Sequence, residues 1–237
     1  MLPQVGLDTA TVLERLGHTV DYPAAQTCCG QPAFNSGYSN DARPVAEHFV
    51  QVFRSSETIV CPSGSCAAMV RSFYPELLAN SLLRDDALEV GRRVFELSEF
   101  LVKVAKVTDV GATFPYRVAV HDSCHALREL HLKQESRELL RRVRGLTLVD
   151  LPYGEDCCGF GGTFAIKFPM ISAAMGDAKA GSAEACGAEY VTATDPSCLM
   201  HIDGILRLRN SKVRAINLAS ILAQTGASAG AVSGSAR

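Results

Sequence analysis

The sequence has no tryptophan, and its aromatic share is only 7%. Charge of either sign is in short excess, with 23 Lys+Arg against 25 Asp+Glu and a net charge of −2. A broad electropositive face for nucleic acid or anionic lipid is therefore not expected. No apolar run approaches the roughly 18 residues that signal a membrane span. The stretch from Met1 to Ala10 lacks the basic segment and apolar block of a secretory signal. Nucleic-acid partners and membrane spans are thus not expected, and the expected location is the cytoplasm.

Cysteine is abundant instead: nine residues in a chain of 237. Stable disulfides are rare in the cytoplasm. An odd count also forbids complete pairing. Intracellular cysteines at this density point to a metal, a cluster or redox chemistry. The 47% hydrophobic content supports a core large enough for one large domain or two small ones.

Two hydrophobic periods alternate along the chain. Short β-rich runs fall at Thr19–Tyr22, Thr58–Val60, Arg117–His121, Leu146–Asp150, Tyr190–Thr192 and Val213–Ile216. Helical spacing marks Val5–Leu16, Val45–Phe53, Val90–Val107, Ser136–Val143 and Ile171–Cys186. Asp195-Pro196 reads as a helix N-terminus, with Asp as cap and Pro in the first turn. Strands alternating with helices predict an α/β protein with mostly parallel sheets. The Gly/Ala/Ser-rich tail, 225–237, is expected to be disordered.

The chain repeats itself. Val20 to Gly30 aligns without a gap on Val149 to Gly159, an offset of 129 positions, and six of the eleven residues are identical. Each copy ends in Cys-Cys-Gly, and each is followed by a helix, a strand and a cysteine-bearing loop: Cys61-Pro-Ser-Gly-Ser-Cys66 and Asp195-Pro-Ser-Cys198. This predicts two Rossmann-like halves, 1–110 and 111–224. The second half also has a strand leading into Cys124, 33 positions before Cys157. The first half has no counterpart of that strand.

Cys124, Cys157, Cys158 and Cys198 all sit at or just after the carboxyl end of a predicted strand. Such ends line one crevice of an open parallel sheet. Cys28, Cys29, Cys61 and Cys66 occupy matching loops in the first half. Adjacent thiolates rarely converge on one tetrahedral Zn²⁺, but can reach different irons of one cluster. Gly159, Gly161 and Gly162 follow the second pair, and Gly30 follows the first. Glycine lets backbone approach closely and aim N–H groups at sulfur. The alternative is a plain tight turn. The spacing is not that of a dinucleotide-binding loop. Cys186 reads as a core residue. His121 and His125 flank Cys124 and read as capping or core histidines before metal ligands.

The phrases Gln26 to Tyr38, Pro62 to Cys66, His121-Asp-Ser-Cys-His125, Glu155 to Phe164 and Cys198-Leu-Met200 resemble the CCG cysteine-rich domain. That domain occurs in the cysteine-rich component of heterodisulfide reductase and in the glycolate oxidase iron–sulfur subunit. The closer resemblance is to the lactate utilisation protein A family, from Met1 to about Gln224. The resemblance implies a cytoplasmic [4Fe–4S] electron-transfer subunit of a complex oxidising L-lactate to pyruvate, not active alone. It implies two ligand sets, Cys28, Cys29, Cys61 and Cys66 in the first half and Cys124, Cys157, Cys158 and Cys198 in the second. No ferredoxin-type C-x₂-C-x₂-C-x₃-C-P run is present, so such clusters would sit on a partner subunit. Three departures stand out: the missing early strand and cysteine, Asp195 in place of the first Cys of C-x-x-C, and C-x₄-C at Cys61–Cys66. Two rival classes are a thiol–disulfide reductase subunit and a non-redox zinc protein.

Moving Cys124 back by 129 gives position −5. The sequence is thus expected to begin inside the first repeat. DNA upstream of the Met1 codon should encode, in frame, a strand and a tenth cysteine. An in-frame stop close to that codon would contradict the expectation.

Overall fold

The structure is a computed structural model that describes residues 3–226. The tail expected to be disordered lies outside the described residues from 227 onward. The chain opens on α1 (Pro3–Arg15), whose Val5, Val12 and Leu13 are buried at helical spacing. The expected strand Thr19–Tyr22 is irregular instead. Its second-half counterpart is a strand only because a neighbour supplies its hydrogen bonds. Among the described residues the first half has no such neighbour, and an unpaired run of β-formers has no ladder to join.

After the first Cys-Cys-Gly come α2 (Gln31–Asn35), α3 (Ser39–Phe53) and β1 (Ile59–Cys61). Then α4 (Gly64–Ala68) passes through a π-helical turn, Met69–Phe73, into α5 (Tyr74–Leu77). Next are α6 (Arg84–Arg92), β2 (Val94–Glu96) and α7 (Leu97–Glu99), which continues as a second π-helical turn, Phe100–Val104. The single helix expected over Val90–Val107 is therefore split by β2. Val94 keeps helical spacing with Leu97 and Leu101, but β1 needs a partner. Tertiary pairing wins: Ile59 faces Val94 and Cys61 faces Glu96 in a parallel ladder.

The second half runs β3 (Arg117–Val120), α8 (Cys124–Arg128), α9 (Gln134–Arg142), β4 (Thr147–Val149) and α10 (Phe164–Lys167). It closes with α11 (Pro169–Ala185), β5 (Tyr190–Ala193), α12 (Pro196–Leu208), β6 (Arg214–Asn217) and α13 (Leu218–Ala223). Its four-stranded sheet has the order β4-β3-β5-β6, all parallel. The protein is thus α/β with parallel sheets, as its alternating periods predict.

The duplication is visible in the elements. The β1–β2 pair mirrors β5–β6. Each first strand leads to a Pro-Ser loop bearing cysteine. Each second strand ends on a side chain that caps the next helix, Glu96 accepting from Ser98 N at 2.8 Å and Asn217 accepting from Ala219 N at 2.9 Å. Among the described residues β3 and β4 have no counterparts of this kind in the first half.

One core joins α1 to the second half: Val12 and Leu13 pack with Leu101, Val118, Leu139 and Ile221. The Arg15 guanidinium fixes this seam by donating to the carbonyls of Val110, Leu222 and Ala223. A second core lies around β1, with Val50, Met69, Tyr74 and Val90. A third lies between α11, β5 and α12, with Ala180, Val191 and Ile202. Among the described residues no helix is long and apolar enough to cross a membrane.

The loop after β3 is held by an ion pair. Arg137 grips the buried Asp122 carboxylate with both terminal nitrogens, at 2.6 and 2.8 Å. Asp122 lies two residues before Cys124, so this fork positions the cysteine loop. Arg137→Ala leaves the carboxylate buried and unpaired. It should lower the urea-unfolding free energy by about 3 kcal/mol. Arg137→Lys should recover only part, because an ammonium cannot reproduce the fork. An unchanged denaturation midpoint in Arg137→Ala would show that the pair does not hold the loop.

Candidate metal centres

The second-half site is built at the carboxyl edge of its sheet. Beyond β3, the backbone N–H of His121 donates to Thr192 O at 2.8 Å and that of Asp122 donates to Gly154 O at 3.0 Å. These two bonds lock the β3 loop to β5 and to the loop after β4. Cys124 begins α8, and Cys198 lies in the first turn of α12. Cys157 and Cys158 come from the intervening loop. Parallel strand ends therefore deliver four thiols from three loops to one place.

The Cys157–Cys158 loop needs its glycine. Gly159 has φ +90°, and a Cβ there would lie 2.7 Å from both Met175 Cβ and Ser172 O. Its N–H donates to Cys157 Sγ at 3.4 Å. Gly30 has the same left-handed backbone at the start of α2, facing Ala42 O. Gly161 and Gly162 turn the chain into α10. The loop is also clamped from α11, where buried Lys179 donates its ammonium to Tyr153 O. In the first half His48 of α3 does the matching job, with Nε2 2.7 Å from Ala25 O.

The thiols of each quartet shift one another's ionisation. In the second half Cys157 acts on Cys124 and Cys158, and Cys158 also on Cys198. In the first half Cys29 acts on Cys28 and Cys66, and Cys61 on Cys66. These interactions split the thiols into two kinds. Neighbouring S–H groups hold Cys28, Cys66, Cys157 and Cys198 below the ordinary thiol range. Donation to those partners, and burial, push Cys29, Cys61, Cys124 and Cys158 up. Thiolate is the form that binds metal. Both quartets are anionic, partly buried sulfur pockets, and a soft cation or cluster fits them better than a hard one. Cys186 lies at the end of α11 and donates to Ala183 O at 3.3 Å.

The two sites share a wall. Asp195 is 2% exposed and caps α12, with Oδ1 accepting from Ser197 N at 3.1 Å and from its hydroxyl at 2.6 Å. Its Oδ2 accepts from Ser65 N at 2.8 Å, across the halves. Ser65 precedes Cys66, so one carboxylate braces both cysteine loops. Contact there is close, since a Cβ on Gly64 would lie 2.7 Å from Ala126 Cβ. Within the first half, Gln31 Nε2 donates to Ser65 O at 3.0 Å and Tyr74 OH donates to Cys29 O at 2.9 Å.

Two residues at the site have roles that the sequence does not show. Asp195 is readable as a cap, but its reach to Ser65 is not. The only hint is that Asp195 holds the place of Cys61 in the repeat. His121 is the other. One of its ring nitrogens lies with the Cys158 and Cys198 thiols in a buried group whose ligand atoms are all within 4.8 Å of one another. His125 is placed differently, with Nδ1 3.6 Å from Cys124 Sγ and its ring edge-on to Phe73.

The CCG cysteine-rich domain model matches residues 1–71 and 118–203, one segment in each half. Lactate utilization protein A of Oceanobacillus iheyensis is 43% identical over 218 residues, covering 92% of this chain and 89% of the relative. Lactate utilization protein A 2 of Bacillus cereus is 42% identical, covering 94% of this chain and 92% of the relative. Lactate utilization protein A 1 of Bacillus anthracis is 41% identical at the same coverage of 94% and 92%. With both cysteine loops inside the matched segments and similarity spanning nearly the whole of each relative, the chain belongs to the lactate utilization protein A family of CCG cysteine-rich domain proteins.

Proposed function

We propose that this chain is the iron–sulfur electron-carrying subunit of a cytoplasmic lactate-oxidising complex, with one [4Fe–4S]-type cluster in each thiol quartet. The observation that supports it is the convergence of two duplicated quartets on one wall, each containing an adjacent cysteine pair. The family's name supplies the metabolic context. An iron–sulfur cluster bound there supplies one-electron redox chemistry.

The residues of the chain then have separable tasks. Cys28, Cys29, Cys61 and Cys66 hold the first centre. Cys124, Cys157, Cys158 and Cys198 hold the second. The Gly159 N–H withdraws charge from Cys157 sulfur, which raises the potential of a bound centre. Buried Cys29, Cys158 and Cys198 keep water from part of each sulfur cage. Asp195 keeps the two loops in fixed register, so centres held by them would stay at a fixed separation. Lactate oxidation to pyruvate releases two electrons and two protons. The carbon chemistry is assigned to a partner subunit, and a ferredoxin-type iron–sulfur partner accepts or passes on the electrons.

The buried trio of His121, Cys158 and Cys198 favours one second reading, a structural zinc site. Metal analysis separates the two. The full chain purified without oxygen should be brown and carry iron and acid-labile sulfide in about equal amounts. Replacing Cys157 and Cys158 with Ser should remove about half of the iron, and replacing Cys28 and Cys29 the other half. Stoichiometric zinc without sulfide would overturn the reading. Deletion of the gene should abolish growth on L-lactate and spare growth on pyruvate. Undiminished growth on lactate, in a strain with no other lactate dehydrogenase, would remove the metabolic assignment.

A further inference from the structure

We propose that His121 is a fifth protein ligand of the second-half centre, binding through Nε2. The inference rests on the proposed function, because it takes the Cys124, Cys157, Cys158 and Cys198 quartet as a metal centre.

The imidazole is held on both sides. The residue's backbone N–H is bonded to Thr192 O, and Nδ1 of the ring lies 3.1 Å from Gly154 O. A carbonyl oxygen only accepts, so Nδ1 carries the proton and Nε2 presents a lone pair. That Nε2 is buried, in a residue 1% exposed, and has no hydrogen-bond partner among the described residues. A buried polar nitrogen left without a partner is unusual and calls for a reason. Nδ1 is spent on Gly154, and the ring shares its pocket with the Cys158 and Cys198 thiols. The free lone pair is therefore the donor available to a metal there. Donating the other ring N–H to a backbone carbonyl is the usual way a metal-ligating histidine is oriented.

The ligand inventory of the two halves points the same way. In the first half Cys61 supplies a thiol at the end of β1. The second half has Asp195 there, and its carboxylate is engaged with Ser65 and Ser197. The segment after β3 brings two donors instead, Cys124 and His121. The first-half histidines are engaged elsewhere, His18 edge-on to Phe100 and His48 on Ala25 O. The two centres thus differ in kind: four thiolates in the first, and four thiolates plus one neutral imidazole in the second.

The test uses the full chain carrying Cys28→Ser and Cys29→Ser, loaded anaerobically with iron and sulfide, so that only the second-half centre is read. Pulsed electron–nuclear resonance is recorded in the oxidised and one-electron-reduced states, one of which has an odd electron count and is paramagnetic. The expected result is a directly coordinated nitrogen whose signal changes when the protein is made with ¹⁵N-histidine. That signal should vanish in His121→Ala. The labelled protein with His121 intact carries the test even if His121→Ala fails to fold. Iron and sulfide bound without histidine coupling would overturn the inference and leave the proposed function standing. Coupling that persists in His121→Ala would assign the ligand to another histidine and also overturn it. Zinc without sulfide would overturn the proposed function, and this inference with it.

Discussion

The parallel pairing of β3 with its neighbours is the constraint on which the rest depends. β3 lies between β4 and β5, all three in one direction. Their carboxyl ends therefore open on one side, and every loop that leaves them carries a cysteine. Reversing one strand would send its thiol to the opposite edge. The bonds from His121 N to Thr192 O and from Asp122 N to Gly154 O extend this order beyond the strands. The Arg137 fork on Asp122 then fixes the loop that carries Cys124.

The first half reaches a similar sulfur pocket with less sheet. Among the described residues it has two strands, and Gln31, Tyr74 and His48 hold the cysteine loops in place of the missing neighbours. It also borrows from the second half. Oδ2 of Asp195 stabilises the Ser65 backbone, and α1 packs on α13 in a common core. The halves are duplicates in sequence but are not equal in what supports them.

Much of this is readable in the sequence because it is local. The strands β3, β4, β5 and β6 carry β-branched runs bounded by turns, and α12 is announced by Asp195-Pro196. The duplicated Cys-Cys-Gly carries the sites, because adjacent cysteines at matching offset have little reason to occur as core residues. What escapes is non-local. β2 is hidden because Val94, Leu97 and Leu101 also satisfy a helical period, and only its pairing with β1 decides. Thr19–Tyr22 has strand-forming residues but, among the described residues, no neighbour to register them. The Asp195–Ser65 bond joins residues 130 positions apart. His121 is visible but misjudged, for a different reason. Its sequence neighbours suggest a cap, and only burial and the Gly154 bond reveal which nitrogen is free.

The central claim is that two cysteine quartets, one per half, are iron-binding pockets braced by a common carboxylate. Anomalous X-ray diffraction at the iron edge, from crystals grown without oxygen, tests it most directly. The account predicts two iron peaks, one among Cys28, Cys29, Cys61 and Cys66 and one among Cys124, Cys157, Cys158 and Cys198. Anomalous signal only at the zinc edge, or iron bound away from these thiols, would contradict it.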